Sequence, residues 1–298
     1  MWLPMTAPSA PKVDVAINVF KKPQQTAVTL LSLLEHSGHL IDRIYFVIDA
    51  PETEHLYDPL LDRLSDRVVL FVPRFHLWVN TAKYFRHFYR WRALRHSLRY
   101  QYAWEGTDKR FLLITHNDVL YTGDVVSLFL RNIETHIGVG YVGMCWNCPA
   151  KTAGVCSSET YLEYQPTEDQ YKALIRDFPG TRANLYSRYA HKKAWPLPEC
   201  RLNEWTCMID MEKARPTTVP RGKCTPFGAM HLDIGTEWFY DVHQLGHTVI
   251  HVDDPDCFVH SWATKKNSGH AVLFDEDQYR AAEAAAEDLL EERYDGIS

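Results

Sequence analysis

An α/β fold, with a mostly parallel sheet flanked by helices, is predicted by three features of the sequence. Short apolar, β-branched runs alternate with helix-length segments through the first half of the chain. That alternation is how parallel strands with helical crossovers read. Polar clusters sit directly after several of the strand-like runs, where open α/β sheets bind their ligands. Finally, 298 residues at 46% hydrophobic and 23% charged give ample material for a core and exclude a disordered or fibrous chain.

The elements follow in order. Val13 to Phe20 is a strand, and Pro23 suits the first turn of the helix that follows. From Thr26 to His36 the apolar residues Ala27, Leu30, Leu31 and Leu34 recur at helical spacing, with Gly38 as the stop. Arg43 to Asp49 and Val68 to Val72 are further strands. A long helix is expected from Thr81 to Trp104. Phe111 to Ile114 is the next strand, ending at Thr115-His116-Asn117-Asp118. Ile137 to Cys145 reads as a strand, whereas 146–230 reads as short helical pieces with Pro-rich connections. Glu237 to Leu245 is helical, Gly246 ends it, and His247 to Val252 is a strand. An Ala- and Glu-rich helix over 275–293 packs on the outside. The expected organisation is one compact unit, divided as 1–125, 126–274 and a C-terminal helix over 275–298.

Lys and Arg number 32 against 38 Asp and Glu, a net charge of -6. An acidic chain lacks the positive field of a sequence-independent nucleic-acid binder. No apolar run reaches the ~18–20 residues of a membrane span, and the N-terminus lacks the pattern of a signal peptide. These features predict a cytoplasmic protein without a transmembrane segment, at most peripheral to the inner face of a membrane. The seven cysteines are then expected to be reduced. Cys145 and Cys148, with Cys156 and either Cys200 or Cys207, suit a structural zinc site or simply packed thiols. His243, His247 and His251 stand four apart, but Gly246 and the β-like Thr248-Val249-Ile250 break the helix a zinc motif would need.

No phosphate-binding glycine loop follows the first strand; Asn18-Val19-Phe20-Lys21-Lys22-Pro23 stands there instead. The most informative segment is FLLITHNDVLY, residues 111–121, a buried strand running into a polar cluster. A carboxylate on a rigid strand end suits a divalent cation that clamps a diphosphate, so Asp118 is a metal candidate. A capping role for Asp118 is the alternative. Lys83, Arg86, Arg90, Arg92, Arg95 and Arg99 alternate with aromatic residues, which reads as a solvated helix face or a nucleic-acid face.

Taken together, the order of strand, helix, strand ending in Asp, and apolar strand ending in an acidic motif resembles the GT-A glycosyltransferases. It is most similar to their inverting family 2. FLLITHNDVLYTGDVVSLFL resembles that family's Asp-x-Asp stretch, VDVAINVFKKPQQTAVTLLSLLEHS its first strand and helix, and IDRIYFVIDAPETE its second strand. GTEWFYDVHQLGHTVIHVDDPDCFVHSW is similar in layout to its catalytic helix, strand and C-terminal His. The chain departs from the pattern at His116, where an Asp is usual. The resemblance implies a GT-A-like sheet and transfer of a sugar from a nucleotide-diphosphate donor, held by 1–125, to a hydroxyl of a glycan or glycolipid, held with the catalytic groups by 126–274. It implies a divalent cation, Mn2+ or Mg2+, on Asp118 with His260 and His116. Asn18, Asp49, Asn80, Lys83, Arg95, Asn117 and Asp118 would hold the nucleotide sugar. Glu237 would be the catalytic base, followed by Asp241 and then Asp233, which lies about one helical turn before Glu237. A carbohydrate- or nucleotide-binding protein without catalysis is the second reading, because the first acid is missing and nine tryptophans suit sugar stacking.

Overall fold

The computed structural model describes residues 11–75, 89–180, 195–230, 232–264 and 275–296. Nine strands are described: β1 (Val13–Val19), β2 (Ile41–Ile48), β3 (Val68–Phe71), β4 (Phe111–Thr115), β5 (Val119–Tyr121), β6 (Gly138–Val142), β7 (Leu202–Asp210), β8 (Val249–His251) and β9 (Phe258–His260). Seven form one sheet in the order β3-β2-β1-β4-β7-β6-β8. β1 runs parallel to β2 and β4, β2 to β3, and β6 to β8, while β7 is antiparallel to both its neighbours. The predicted mostly parallel sheet with flanking helices is therefore present, and strands from the second half of the chain extend the same sheet.

Side chains alternate across this sheet as the pleat requires. Ile17, Phe46 and Leu113 join one core layer with Leu30 of the helix Pro23–Ser37. Ala16, Leu112 and Ile114 join the other, with Trp104 and Trp238. The helix Pro23–Ser37 closes at Gly38, whose N–H donates to the Leu34 carbonyl at 2.9 Å; an added Cβ would lie 2.3 Å from that oxygen. Across this helix lies the C-terminal helix, Glu276–Tyr294. From it, Glu283 accepts hydrogen bonds from Gln24 N at 3.0 Å and Gln25 Nε2 at 3.0 Å, which fixes the start of the first helix.

Two expectations need correction. β7 fell inside the stretch read as irregular. Its buried Asn203, Glu204 and Thr206 interrupt the apolar run that marks a strand, yet all are accommodated in the sheet. The long helix also does not extend through its described part. Arg92–Arg95 and Gln101–Gly106 are separate short helices, and Tyr100 between them has φ 64°. Its N–H donates to Asn18 Oδ1 instead of continuing a helix.

His243 shows how the second core is finished. It lies in the helix Thr236–Gln244, with Nδ1 2.7 Å from the Phe239 carbonyl and Nε2 3.1 Å from Tyr161 Oη. Burial pulls its pKa down from 6.5 to about 4. The unfolded chain therefore takes up this proton first, and the stability from neutral His243 is present above pH 6.5 and lost as pH falls toward 4. The full effect is about 3 kcal/mol. Urea unfolding between pH 7 and pH 4.5 should show His243→Gln with a flatter acid decline than wild type; equal slopes would remove His243 as the cause.

Candidate functional site

The site forms at the carboxyl edge of β4, where the main sheet meets the small β5–β9 sheet. In that small sheet Val119 pairs with His260, and Ser261 N donates to the Asp118 carbonyl at 2.9 Å. This pairing, distant in sequence, carries His260 to Asp118. Asp118 is buried, with Oδ2 2.7 Å from Lys22 Nζ. Its other oxygen, Oδ1, faces His260 Nε2 at 3.4 Å and His116 Nδ1 at 3.8 Å. Burial pushes the Asp118 carboxyl up, but Lys22, His260 and His116 outweigh it and hold the group well below the usual carboxylate range.

Lys22 reaches this position because the chain leaves β1 through two left-handed residues, Lys21 at φ 53° and Lys22 at φ 57°. Neither is a glycine, so the turn must be held by its surroundings. Tyr57 Oη donates to the Lys21 carbonyl at 2.8 Å, and Asn117 Nδ2 donates to the same oxygen at 3.2 Å. Asn117 thus serves the site by fixing the Lys21-Lys22 turn. The sequence marks Lys22 only by its place directly after the first strand, where ligands bind, and assigns it no role.

Among the described residues, His116, Asp118 and His260 form a group whose ligand atoms lie within 4.8 Å of one another. Two imidazoles and one carboxylate oxygen are a donor set suited to a first-row divalent cation, Mn2+ included. The second carboxylate oxygen is already held by Lys22, which fixes the orientation of Oδ1. The residues therefore fit a cation. His116 also reaches the other way, with Nε2 3.3 Å from Glu204 Oε1. Glu204 is ion-paired with Arg201, which in turn lies 3.5 Å from Asp233 Oδ1. Burial raises the Glu204 carboxyl, but Arg201 and His116 bring it far below its ordinary value.

A second cluster lies at the ends of β1 and β2. Asn18 Nδ2 donates to Asp49 Oδ1 at 2.7 Å, and Arg99 Nε donates to Asp49 Oδ2 at 3.1 Å. Asn18 and Asp49 are thus brought together as neighbours. Arg99 joins them, whereas Arg95 is buried and donates to Glu105 Oε2 and the Tyr89 carbonyl, each at 2.8 Å. Asn80 and Lys83 lie outside the described residues.

The three acids of the second half separate. Glu237 and Asp241 converge on Thr225: its Oγ1 is 2.8 Å from Asp241 Oδ2 and 3.3 Å from Glu237 Oε2, and its N–H donates to Asp241 at 2.7 Å. Asp233 instead stands at the far end of the chain of contacts from Asp118 through His116, Glu204 and Arg201.

The zinc expectation is not supported. Among the described residues no three cysteines bring their Sγ atoms within 4.8 Å, and Cys145 Sγ lies 3.2 Å from Ser158 Oγ. Burial raises the Cys148 and Cys200 thiols and pushes Cys156 up to about 12, and the neighbouring cysteines add to the rise. The cysteines are free thiols.

No protein-family model and no curated protein matches the sequence. Among solved structures, the fold is similar to that of a mannosyltransferase from Pyrobaculum calidifontis in complex with GDP-Man and Mn2+. The TM-score is 0.50 at 13% identity, over 98% of this chain and 80% of that one. The likeness is one of fold. No helix among the described residues is long and apolar enough to cross a membrane.

Proposed function

We propose that this protein is a glycosyltransferase that moves a sugar from a nucleoside-diphosphate donor to a hydroxyl of an acceptor. The observation that carries this reading is the assembly at Asp118. One carboxylate at a strand end collects Lys22 from the first loop, His116 from its own segment and His260 from a separate small sheet. The similar fold of a mannosyltransferase supports it.

Asp118, His116 and His260 would hold a divalent cation, Mn2+ or Mg2+, which neutralises the departing diphosphate. Lys22 keeps the Asp118 carboxylate ionised and oriented. Asn18 and Asp49, backed by Arg99, present polar groups at the neighbouring strand ends and would bind the nucleoside. On the acceptor side a carboxylate must take the proton of the attacking hydroxyl as the new bond forms. Glu237 is our assignment, with Asp233 and Asp241 as competitors. One hydroxyl hydrogen on Thr225 serves one acceptor, and its shorter contact is to Asp241. Direct attack on the anomeric carbon by an acceptor activated in this way inverts the centre.

A panel of nucleotide sugars that includes GDP-Man, with Mn2+, with Mg2+ and with chelator, tests the proposal. Release of nucleoside diphosphate from at least one donor, lost with chelator, is expected. Donor binding without turnover, in the presence of varied sugar acceptors, would favour the non-catalytic binding reading instead. Neither binding nor turnover would overturn both.

A further inference from the structure

We propose that the acceptor is a saccharide, and that one of its pyranose rings stacks on the exposed face of Trp146. This names the acceptor of the transferase reading above and rests on that reading for its consequence, though not for its geometry. Trp146 lies in the short turn Cys145–Asn147 after β6, at the same carboxyl edge of the sheet as Asp118. It is 52% exposed, yet its ring does not hang free. It stacks on Trp205 with centroids 6.1 Å apart and planes 18° apart. Trp205 in turn lies 4.6 Å from the His260 ring, and Tyr141 packs 5.1 Å from Trp205. The exposed indole is therefore one ring away from a side chain of the candidate cation site.

The backbone under Trp146 is fixed in advance. Asn203 Nδ2 donates to the Tyr141 carbonyl at 3.0 Å and the Gly143 carbonyl at 2.9 Å. Gly143 turns the chain at φ 88°, a conformation that favours glycine. Its N–H donates to the Arg201 carbonyl at 2.7 Å, and Met144 N donates to the Glu199 carbonyl at 2.8 Å. An exposed aromatic ring held this firmly loses little conformational entropy when a ligand covers it.

The chemistry of the ring selects the ligand. An indole face is electron-rich, and a pyranose presents a flat set of C–H groups that such a face attracts. The ring hydroxyls stay at the rim, where water or polar neighbours satisfy them. A lipid chain would need a contiguous apolar patch, whereas the rings beside Trp146 are amphipathic: Trp205, then Tyr141, His251 and His260. A nucleobase would also stack on an indole, but the strand order argues against it here. Asn18 and Asp49 end β1 and β2, and Trp146 follows β6, with β4 and β7 between. At about 4.8 Å per strand, β2 and β6 are roughly 19 Å apart, with Asp118 at the central strand. A donor whose diphosphate sits at Asp118 and whose base lies toward β2 leaves the Trp146 side for the acceptor.

Methyl hexopyranosides of gluco, manno and galacto configuration are suitable probes, titrated in the presence of GDP or UDP and Mn2+. Saturation-transfer NMR and tryptophan fluorescence report saccharide binding, and calorimetry reports nucleotide affinity. At least one pyranoside should bind wild type, Trp146→Ala should weaken it about tenfold or more, and Trp146→Phe should fall between. Nucleotide affinity should stay unchanged in both variants, which also shows that they are folded. Pyranoside affinity equal in wild type and Trp146→Ala overturns the proposal, as does a wild type that binds none of the probes. A loss that falls on the nucleotide assigns the ring to the base and overturns it too. Trp146-dependent saccharide binding without any turnover of nucleotide sugars would uphold the platform and remove the transferase reading.

Discussion

Asp118→Asn is expected to abolish cation-dependent nucleotide binding and to lower the stability of the fold. The two effects have one origin. Asn preserves the size of the side chain but removes its charge, and Lys22 Nζ, 2.7 Å away and buried, then has no counter-charge at that position. Removing one partner of a buried ion pair costs about 3–5 kcal/mol, because the remaining charge stays desolvated. For a chain of this size that is a fall of several degrees in Tm. The cation is affected separately: Oδ1 is the single carboxylate donor of the His116–Asp118–His260 group, and an amide oxygen is a weaker ligand than a carboxylate. His260→Ala separates the two. It leaves the Lys22–Asp118 pair intact and removes one imidazole, so Tm should stay within a few degrees of wild type while Mn2+ affinity falls tenfold or more. Calorimetry with Mn2+, then with GDP or UDP added, together with a thermal melt on each variant, gives both numbers. Unchanged nucleotide affinity in Asp118→Asn would remove Asp118 from the donor site. Unchanged Mn2+ affinity in His260→Ala would mean that the approach of His260 to Asp118 serves only the fold.

The parts of this site that the sequence revealed are those in which local pattern and tertiary role coincide. Asp118 stands three positions past a run of five buried residues, so the strand and the polar cluster at its end are both visible from the residues. Asn18 and Asp49 end two strands of the same kind, and their adjacency follows once β1 and β2 are parallel neighbours. Lys22 was less visible, because its role depends on a left-handed turn that neither Lys21 nor Lys22 favours by type. The turn is imposed from outside, by Tyr57 and Asn117 on the Lys21 carbonyl and by Glu283 on the start of the helix. β7 was hidden because Asn203 and Glu204 are buried for their side-chain partners rather than for their hydrophobicity. Asn203 braces the turn before Trp146, and Glu204 links His116 to Arg201. Arg95 misled for the opposite reason. A basic residue among aromatics looks like a ligand-binding group, but its guanidinium is consumed by Glu105, ten positions along the chain.

The largest kinetic effect is expected at Glu237. A general base contributes typically 10²–10⁴-fold, so Glu237→Gln should raise the barrier by about 3–5 kcal/mol, with donor affinity little changed. Gln keeps the length and one acceptor oxygen but cannot receive the proton. Geometry makes the comparison with its neighbours informative. Asp241 takes both the N–H and the shorter hydroxyl contact of Thr225, so Asp241→Asn should act mainly through the local fold and show in Tm before it shows in kcat. Asp233 touches Arg201, the partner of Glu204, so Asp233→Asn should act through the network that reaches His116, shifting donor or cation affinity more than kcat. The three variants thus predict three different signatures: kcat alone, stability, and donor-side affinity. Single-turnover rates, donor affinity and a melt on each variant separate them. A loss of kcat confined to Asp233→Asn would move the base to the segment before the helix Thr236–Gln244, next to Arg201. Activity retained in all three would remove the single-carboxylate inverting mechanism, because no other acid assigned to the acceptor side would be left to take the proton.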